Sequence, residues 1–399
     1  MPKPTVSQRG TNVIASPIRK FLPLMQATEN RGVEVYKLNT GDPDLAVPQE
    51  FFSAVRAYDK PNLGYAPSPG IAEHVTAWQE YYRQFGVTLA PQQIIPTVGC
   101  AEAIALALMA VADFGDEILV FEPLYVSYKA FAVMLGLTLV PVTLHAEDGF
   151  TLPPVSEIES KISKKTRAIV VINPDNPTGK LWSEDELAQL TGLAKKHGLF
   201  LIADETYREI RFSGSPTCML ADTSAAENLI LVDSVSKRYS MPGARIGCIA
   251  SLNPEVMGAV LKFAQARLSA GTLEQFGLIP LLLDPKRYTD PVREEFARRL
   301  DVVYAGLSRI PGVITHKPGG AFYIVAKLPV KSAEEFVKFL IGEFEDSGET
   351  VMVSPIQDFY VTPNMGLDEI RIAYVLESAK LERAMEILGR GIAAYQKRT

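Results

Sequence analysis

From Phe51 to about Asp284, short apolar runs alternate with longer stretches in which apolar and polar positions mix. The runs at 117–121, 137–144, 167–172, 199–203, 229–232 and 246–250 have the length of strands. Short strands apolar on both faces, separated by helices, predict a mainly parallel sheet covered on both sides. One covering helix is the mostly apolar stretch 101–112, opening right after Gly99. Another begins at Ser183, with Glu186 three residues later in capping-box position. In such a sheet the ligand lies beyond the carboxyl ends of the strands.

After Pro285 the pattern changes. A long amphipathic helix rich in Arg and Glu is predicted over 291–307. A Gly319-Gly320 turn leads into a strand ending at Val325; helix 333–345, strand 369–374 and helix 381–395 follow. This pattern predicts a smaller α+β domain. At the other end, Pro2, Pro4, Pro17, Pro23, Pro43 and Pro48 predict an irregular arm. The expected organisation is an arm over 1–48 that partly joins the small domain, a large domain over 49–285, and a small domain over 286–399. No internal repeat or low-complexity segment interrupts it.

The chain has 399 residues, 47% of them hydrophobic, enough for a large core and two domains. Its net charge is −6, with no basic block, so nucleic acid is not an expected partner. Cys100, Cys218 and Cys248 are far apart, and four histidines are scattered. Neither a disulfide framework nor a zinc site is expected from them. The start of the chain lacks the apolar core of a signal peptide, and apolar-rich runs such as 104–112 are too short to span a bilayer. A cytoplasmic setting without membrane contact is the expectation.

The densest chemistry is Ser234-Val235-Ser236-Lys237-Arg238-Tyr239-Ser240-Met241-Pro242-Gly243-Ala244-Arg245. One lysine sits in a hydroxyl-rich turn, with an arginine eight residues on. That suits a phosphate-bearing aldehyde: the amine for a Schiff base, and hydroxyls with a planar cation for the phosphate. A solvated Lys/Arg loop between strands is the plain alternative. Asp204 directly follows the 199–203 run, and Tyr207 comes three residues later. Asp after a strand also suits a helix N-cap, and Tyr207 a core position. Asn173-Pro174-Asp175-Asn176-Pro177-Thr178-Gly179 closes the 167–172 run in an extended, then tight, path, and a plain strand-to-helix turn would read alike. Gly99, Cys100 and Ala101 are small residues opening a helix, where free N–H groups can bind phosphate, though such residues are common before helices. Arg371 lies on a predicted strand; it suits a substrate carboxylate, or is a surface charge.

Together these segments resemble the pyridoxal-phosphate (PLP) aminotransferases of fold type I, the class I/II aminotransferases related to aspartate aminotransferase. Six motifs fall in family order across residues 39–374. The resemblance implies a three-layer α/β large domain, a smaller α+β domain, and ping-pong transfer of an amino group between an L-amino acid and a 2-oxo acid. It implies Lys237 as Schiff-base lysine and general base, and Asp204 as partner of the cofactor's ring nitrogen. Tyr207 and Asn176 are implied as donors to its phenolate oxygen, and Tyr125 as a stacking partner. Gly99, Cys100, Ala101, Ser234, Ser236 and Arg245 are implied around the phosphate. Arg371, Gly41 and Asn176 are implied around the substrate. Tyr65, in Leu63-Gly64-Tyr65-Ala66-Pro67, matches a tyrosine that crosses to the partner's phosphate, so a homodimer with shared sites is implied. Tyr128 is read as core packing.

Family members often carry Ser, Thr or Gln where this chain has Gly99-Cys100-Ala101. Ala101 stands about where one subgroup places a lysine for a second substrate carboxylate, so that solution is absent. Arg267 could serve a distal acid but is read as a solvated helix residue. Ile14, Ala15 and Tyr36 are read as an apolar side of the pocket. A PLP lyase of the same fold, a carbon–sulfur β-lyase or an aminocyclopropane-carboxylate-synthase-like enzyme, shares every one of these motifs and is the alternative.

Overall fold

A computed structural model describes residues 3–398. Its central sheet has seven strands in the order Ile94–Thr97, Gly247–Ala250, Leu229–Ser234, Phe200–Asp204, Thr166–Ile172, Glu117–Glu122, Thr138–Thr143. The sheet is parallel except at Gly247–Ala250, which runs antiparallel to both neighbours. The Leu229–Ser234 strand is buried at every position, as its unbroken apolar run requires. Helices on both faces seal it. The Glu184–His197 helix has the expected capping box: Glu186 N donates to Ser183 Oγ, and Ser183 N donates to Glu186 Oε2. It ends on Gly198, whose φ of 63° favours a residue without a Cβ.

A second, antiparallel sheet runs Ser354–Pro355, Glu369–Ala373, Tyr323–Lys327, Ile314–Thr315. The helices Lys286–Ser308, Ala333–Gly342 and Ser378–Gln396 share its core. The expected helix start at Pro291 is five residues late. Pro291 lies inside the helix, where its missing N–H costs one bond. Burial of Phe296, Leu300, Val303 and Leu307 along one face outweighs that loss.

The expected irregular arm is also corrected. Residues 8–12 and 22–29 are helical, and Glu34–Lys37 is a strand paired in parallel with Glu349–Met352. Pro23 sits in the first turn of its helix, where the backbone N–H has no intrahelical partner to lose. Thr28 Oγ1 donates to the Ile341 carbonyl at 2.6 Å, fixing that helix to the Ala333–Gly342 helix.

Candidate active site

Adjacent parallel strands end side by side, and their last residues enter one pocket floor. Asp204 closes its strand and pairs in register with Ile172 and Val232. Ser234 closes the next strand and faces Gly247. Asp204 is buried, and its carboxylate accepts from Thr206 N and Oγ1, from Tyr128 Oη at 3.3 Å and from Cys100 Sγ at 3.6 Å. Desolvation pushes its carboxyl up to about 6, against the pull of the Thr206 bonds. No cation touches it among the described residues. Tyr128 is fully buried, as expected, but its hydroxyl also serves Asp204.

Lys237 follows Ser236 in the turn after the Leu229–Ser234 strand. Its Nζ donates to the Gly41 carbonyl at 2.7 Å and lies 5.8 Å from the centre of the Phe322 ring. Burial lowers the amine to about 8; Asp42 opposes the change, while Arg371 and Arg245 add to it. The folded protein thus favours the neutral amine. Between pH 8 and 10.5 the unfolded chain holds the extra proton, so this group's penalty on stability fades as pH rises. Lys237→Met is therefore expected to stabilise the cofactor-free protein by about 3 kcal/mol near pH 7, with the gain shrinking toward pH 10.5. Urea melts of both proteins at several pH values check it; a pH-independent difference contradicts it.

Arg371 lies on the Glu369–Ala373 strand and is buried. Its Nη1 donates to Asn176 Oδ1 at 3.0 Å and its Nη2 to the Asn39 carbonyl at 2.7 Å. The guanidinium sits 4.4 Å from the Tyr323 ring centre, and Nε has no hydrogen-bond partner. No carboxylate pairs with it among the described residues, and desolvation lowers its pKa. A buried cation holding only neutral acceptors is suited to an incoming anion. The Asn176 loop is pinned by Thr178 N and Oγ1, both donating to Asp175 Oδ2. Tyr207 Oη is 2.9 Å from Tyr323 Oη, and a Cβ at Gly41 would collide with that Tyr323 hydroxyl.

The candidate anion cradle lies at the start of the Gly99–Val111 helix. Gly99 has φ of 69°, and a Cβ there would stand 2.7 Å from Arg245 Nη2. Only glycine leaves this opening under the arginine. Arg245, at φ 52°, donates to the Pro242 carbonyl at 2.9 Å. Ser234 Oγ and Ser236 Oγ are 2.7 Å apart. Ala101 follows in the first helical turn, and Tyr125 lies 6.5 Å, ring to ring, from Tyr128. The residues suit PLP in charge and shape: an open cradle with a guanidinium, a buried carboxylate with no cation on it among the described residues, and a buried lysine that loses its proton more readily than a free one.

Tyr65 is not brought to this pocket; it is 84% exposed. Ile14 is exposed as well, and Tyr36 bonds to Glu349 instead. Arg267 is corrected from a solvated residue to an anchored one. Its Nη2 donates to the Pro96 carbonyl at 2.7 Å, and its Nε stands 3.4 Å from Glu102. Sequence reading missed Asn39, Asp42, Thr206 and Tyr323. Tyr323 was within sight, at the end of Gly319-Gly320-Ala321-Phe322-Tyr323, but strand alternation alone does not say which ring faces a ligand.

The aminotransferase class I and II family profile matches residues 33–388. The chain is 31% identical over 376 residues to an aspartate aminotransferase of Bacillus subtilis, covering 91% of this chain and 93% of that one. It is 30% identical over 391 residues to aromatic-amino-acid aminotransferase 2 of Thermococcus litoralis, covering 96% of each. Among solved structures, the Thermus thermophilus aspartate aminotransferase with maleate superposes at TM-score 0.88 with 27% identity, over 98% of this chain and all of that one. An alanine aminotransferase from Pyrococcus furiosus gives 0.89 and 29% over the same shares.

Proposed function

Because the chain belongs to the class I and II aminotransferase family, we propose that its pocket holds pyridoxal 5′-phosphate and moves an amino group between an L-amino acid and a 2-oxo acid. The observation that carries this is the buried Lys237 amine, donating to the Gly41 carbonyl and brought down to about 8 by burial and by Arg371 and Arg245. PLP, when bound, supplies an aldehyde that condenses with amines and a ring that takes up electrons released at a substrate Cα. Lys237 holds the cofactor between turnovers and carries the proton to and from that Cα. Asp204 would pair with the ring nitrogen and keep it protonated. Asn176 and Tyr207 would donate to the phenolate oxygen; Asn176 is oriented because its Oδ1 is taken by Arg371. Tyr125 would stack on the ring. Gly99, Cys100, Ala101, Ser234, Ser236 and Arg245 receive the phosphate. Arg371, with Gly41, fixes the substrate carboxylate. The lyase alternative is not favoured, since the matched relatives are aminotransferases.

The test is to load the protein with PLP and add each amino acid in turn, following the visible absorbance. Loss of the band with release of a 2-oxo acid supports the reading; no PLP uptake, or no amino acid that discharges the band, overturns it. The named relatives act on aspartate, aromatic amino acids and alanine, so the same screen sets the side-chain preference here.

The reading includes a large domain over 49–285, a small one over 286–399, and an arm shared between them. In its support, residues of the arm such as Phe21 and Val35 pack in the core of the 296–392 region. It also includes a homodimer completed by Tyr65 in the partner's cradle, supported by the exposed Leu63, Tyr65 and Leu268 side chains. Tyr65→Phe is expected to weaken PLP binding by about tenfold or more, through loss of one charge-assisted hydrogen bond. Equilibrium PLP titration checks it, with light scattering for the dimer mass. A fully active monomer contradicts it. Three free cysteines suit a reducing, cytoplasmic setting. No helix among the described residues is long and apolar enough to cross a membrane.

A further inference from the structure

Beneath the pocket floor lies a buried ionic cluster that none of these roles uses. It comprises Arg208, Arg238, Glu205, Glu209 and Asp233, each at most 4% exposed. Each acid or base is next in the chain to a pocket residue or one removed. Glu205 follows Asp204, Arg208 follows Tyr207, Asp233 precedes Ser234 and Arg238 follows Lys237. Asp233 is the hub. Its Oδ1 accepts from Arg238 Nη2, and its Oδ2 from Arg208 Nη1 at 3.1 Å and from Tyr82 Oη at 2.7 Å. Arg208 also binds Glu205, with Nε at 2.6 Å, and donates to Tyr81 Oη at 2.8 Å. Arg238 reaches Glu209 at 3.0 Å and the same Tyr81 hydroxyl. Two turns at the ends of neighbouring strands, 204–209 and 233–238, are thus clamped to each other and to the Ala72–Arg83 helix.

We propose that this cluster is a positioning device for the reaction: Asp233 and its two arginines hold the Lys237 and Asp204 turns in register and set the charge beneath them. The inference rests on the aminotransferase reading. Three carboxylates face two guanidinium groups, so the cluster formally carries one negative charge in excess. That charge bears on the pocket: Asp233 is one of the groups that raise the Asp204 carboxyl. The other groups facing Asp204 are Thr206, Tyr128, Cys100, Tyr125 and the buried Asp175 carboxyl; those facing Lys237 are Asp42, Arg371 and Arg245. Around the cluster itself stand Tyr81, Tyr82, Cys218, Tyr239 and Cys248. None of these is a further cation that could replace Asp233's partners.

Asp233→Asn keeps the shape and an acceptor oxygen but removes the charge. Protons near the pocket floor are then lost more readily. In the PLP-loaded protein, the pH midpoint of the visible band is expected to fall by on the order of 0.5 unit. The turnover number should fall about tenfold or more while KM for the amino acid changes little, because Arg371 lies apart from the cluster. Leu231→Ala, on the same strand and fully buried, is the control: it should lower the melting temperature and leave the midpoint alone. Should Asp233→Asn fail to fold, Glu209→Gln carries the same test with a smaller downward shift. An unmoved midpoint in the folded variant, or an equal shift in Leu231→Ala, overturns the proposal. A parent protein that takes up no PLP instead overturns the underlying functional reading, so the two failures are distinct.

Discussion

Lys237→Ala is expected to lose turnover by roughly 10⁴-fold or more, and with it the visible absorbance of the PLP-loaded protein. The size of the effect follows from two duties in one side chain. In the proposed reading Nζ is both the nucleophile that holds the cofactor and the base at the substrate Cα. Its surroundings favour both: burial brings the amine down to about 8, and the Gly41 carbonyl holds it at 2.7 Å. No neighbouring lysine among the described residues can stand in, since the cations acting on this amine are Arg371 and Arg245. Absorbance spectra with single-turnover kinetics read the two duties separately. An unaltered spectrum in the variant ends the assignment, whatever the remaining activity. Partial rescue of turnover by small amines, with the spectrum still altered, would show that the lost function is chemical rather than structural.

The second large effect is expected at Arg371. Its two Nη groups are spent on Asn176 Oδ1 and the Asn39 carbonyl, while Nε is free and no carboxylate among the described residues neutralises the charge. An amino acid and a 2-oxo acid present the same carboxylate beside the reacting carbon. Arg371→Leu should therefore lower kcat/KM by about 10²–10³-fold in both half-reactions. Arg371→Lys should fall between, because it keeps the charge and loses the planar fork. Stopped-flow measurement of each half-reaction is the check. A loss confined to one half-reaction, or an unchanged affinity for the amino acid, removes Arg371 from the substrate-binding role. The Lys237 amine offers an internal control: Arg371 contributes to its lowering, so Arg371→Leu should also raise the proton affinity of that amine.

Asp204 yields a smaller but directional result. Its carboxyl is held at about 6 by desolvation, with no cation touching it among the described residues. Because the folded value lies above the unfolded one, this group costs stability as pH rises from about 4 to 6 in the cofactor-free protein. Asp204→Asn should flatten that part of the stability profile and weaken cofactor retention. Chemical denaturation of the cofactor-free proteins across that range tests the first point, and a profile identical to the parent's contradicts it.

The sequence by itself determined the central sheet, because runs such as 229–232 are apolar at successive positions and tolerate only burial on both faces. It also determined the 183–197 helix start, since Ser183 and Glu186 make their capping bonds within one turn. Local rules settle local bonds. The motif around Lys237 was legible for the same reason: its residue types lie within a dozen positions.

Tertiary structure alone decided the rest. Proline counting missed the short elements of the arm, because Pro23 sits where a helix has no bond to lose and Glu34–Lys37 finds its partner more than 300 residues away. Arg267 looked solvated until Pro96 and Glu102 closed on it. Tyr323, Asn39 and Asp42 join the pocket only when the small sheet and the arm meet the strand ends. The ionic cluster around Asp233 was invisible for the same physical reason. Its charges come from two turns that adjacent parallel strands deliver side by side, and a buried charge is tolerable only once its partners arrive.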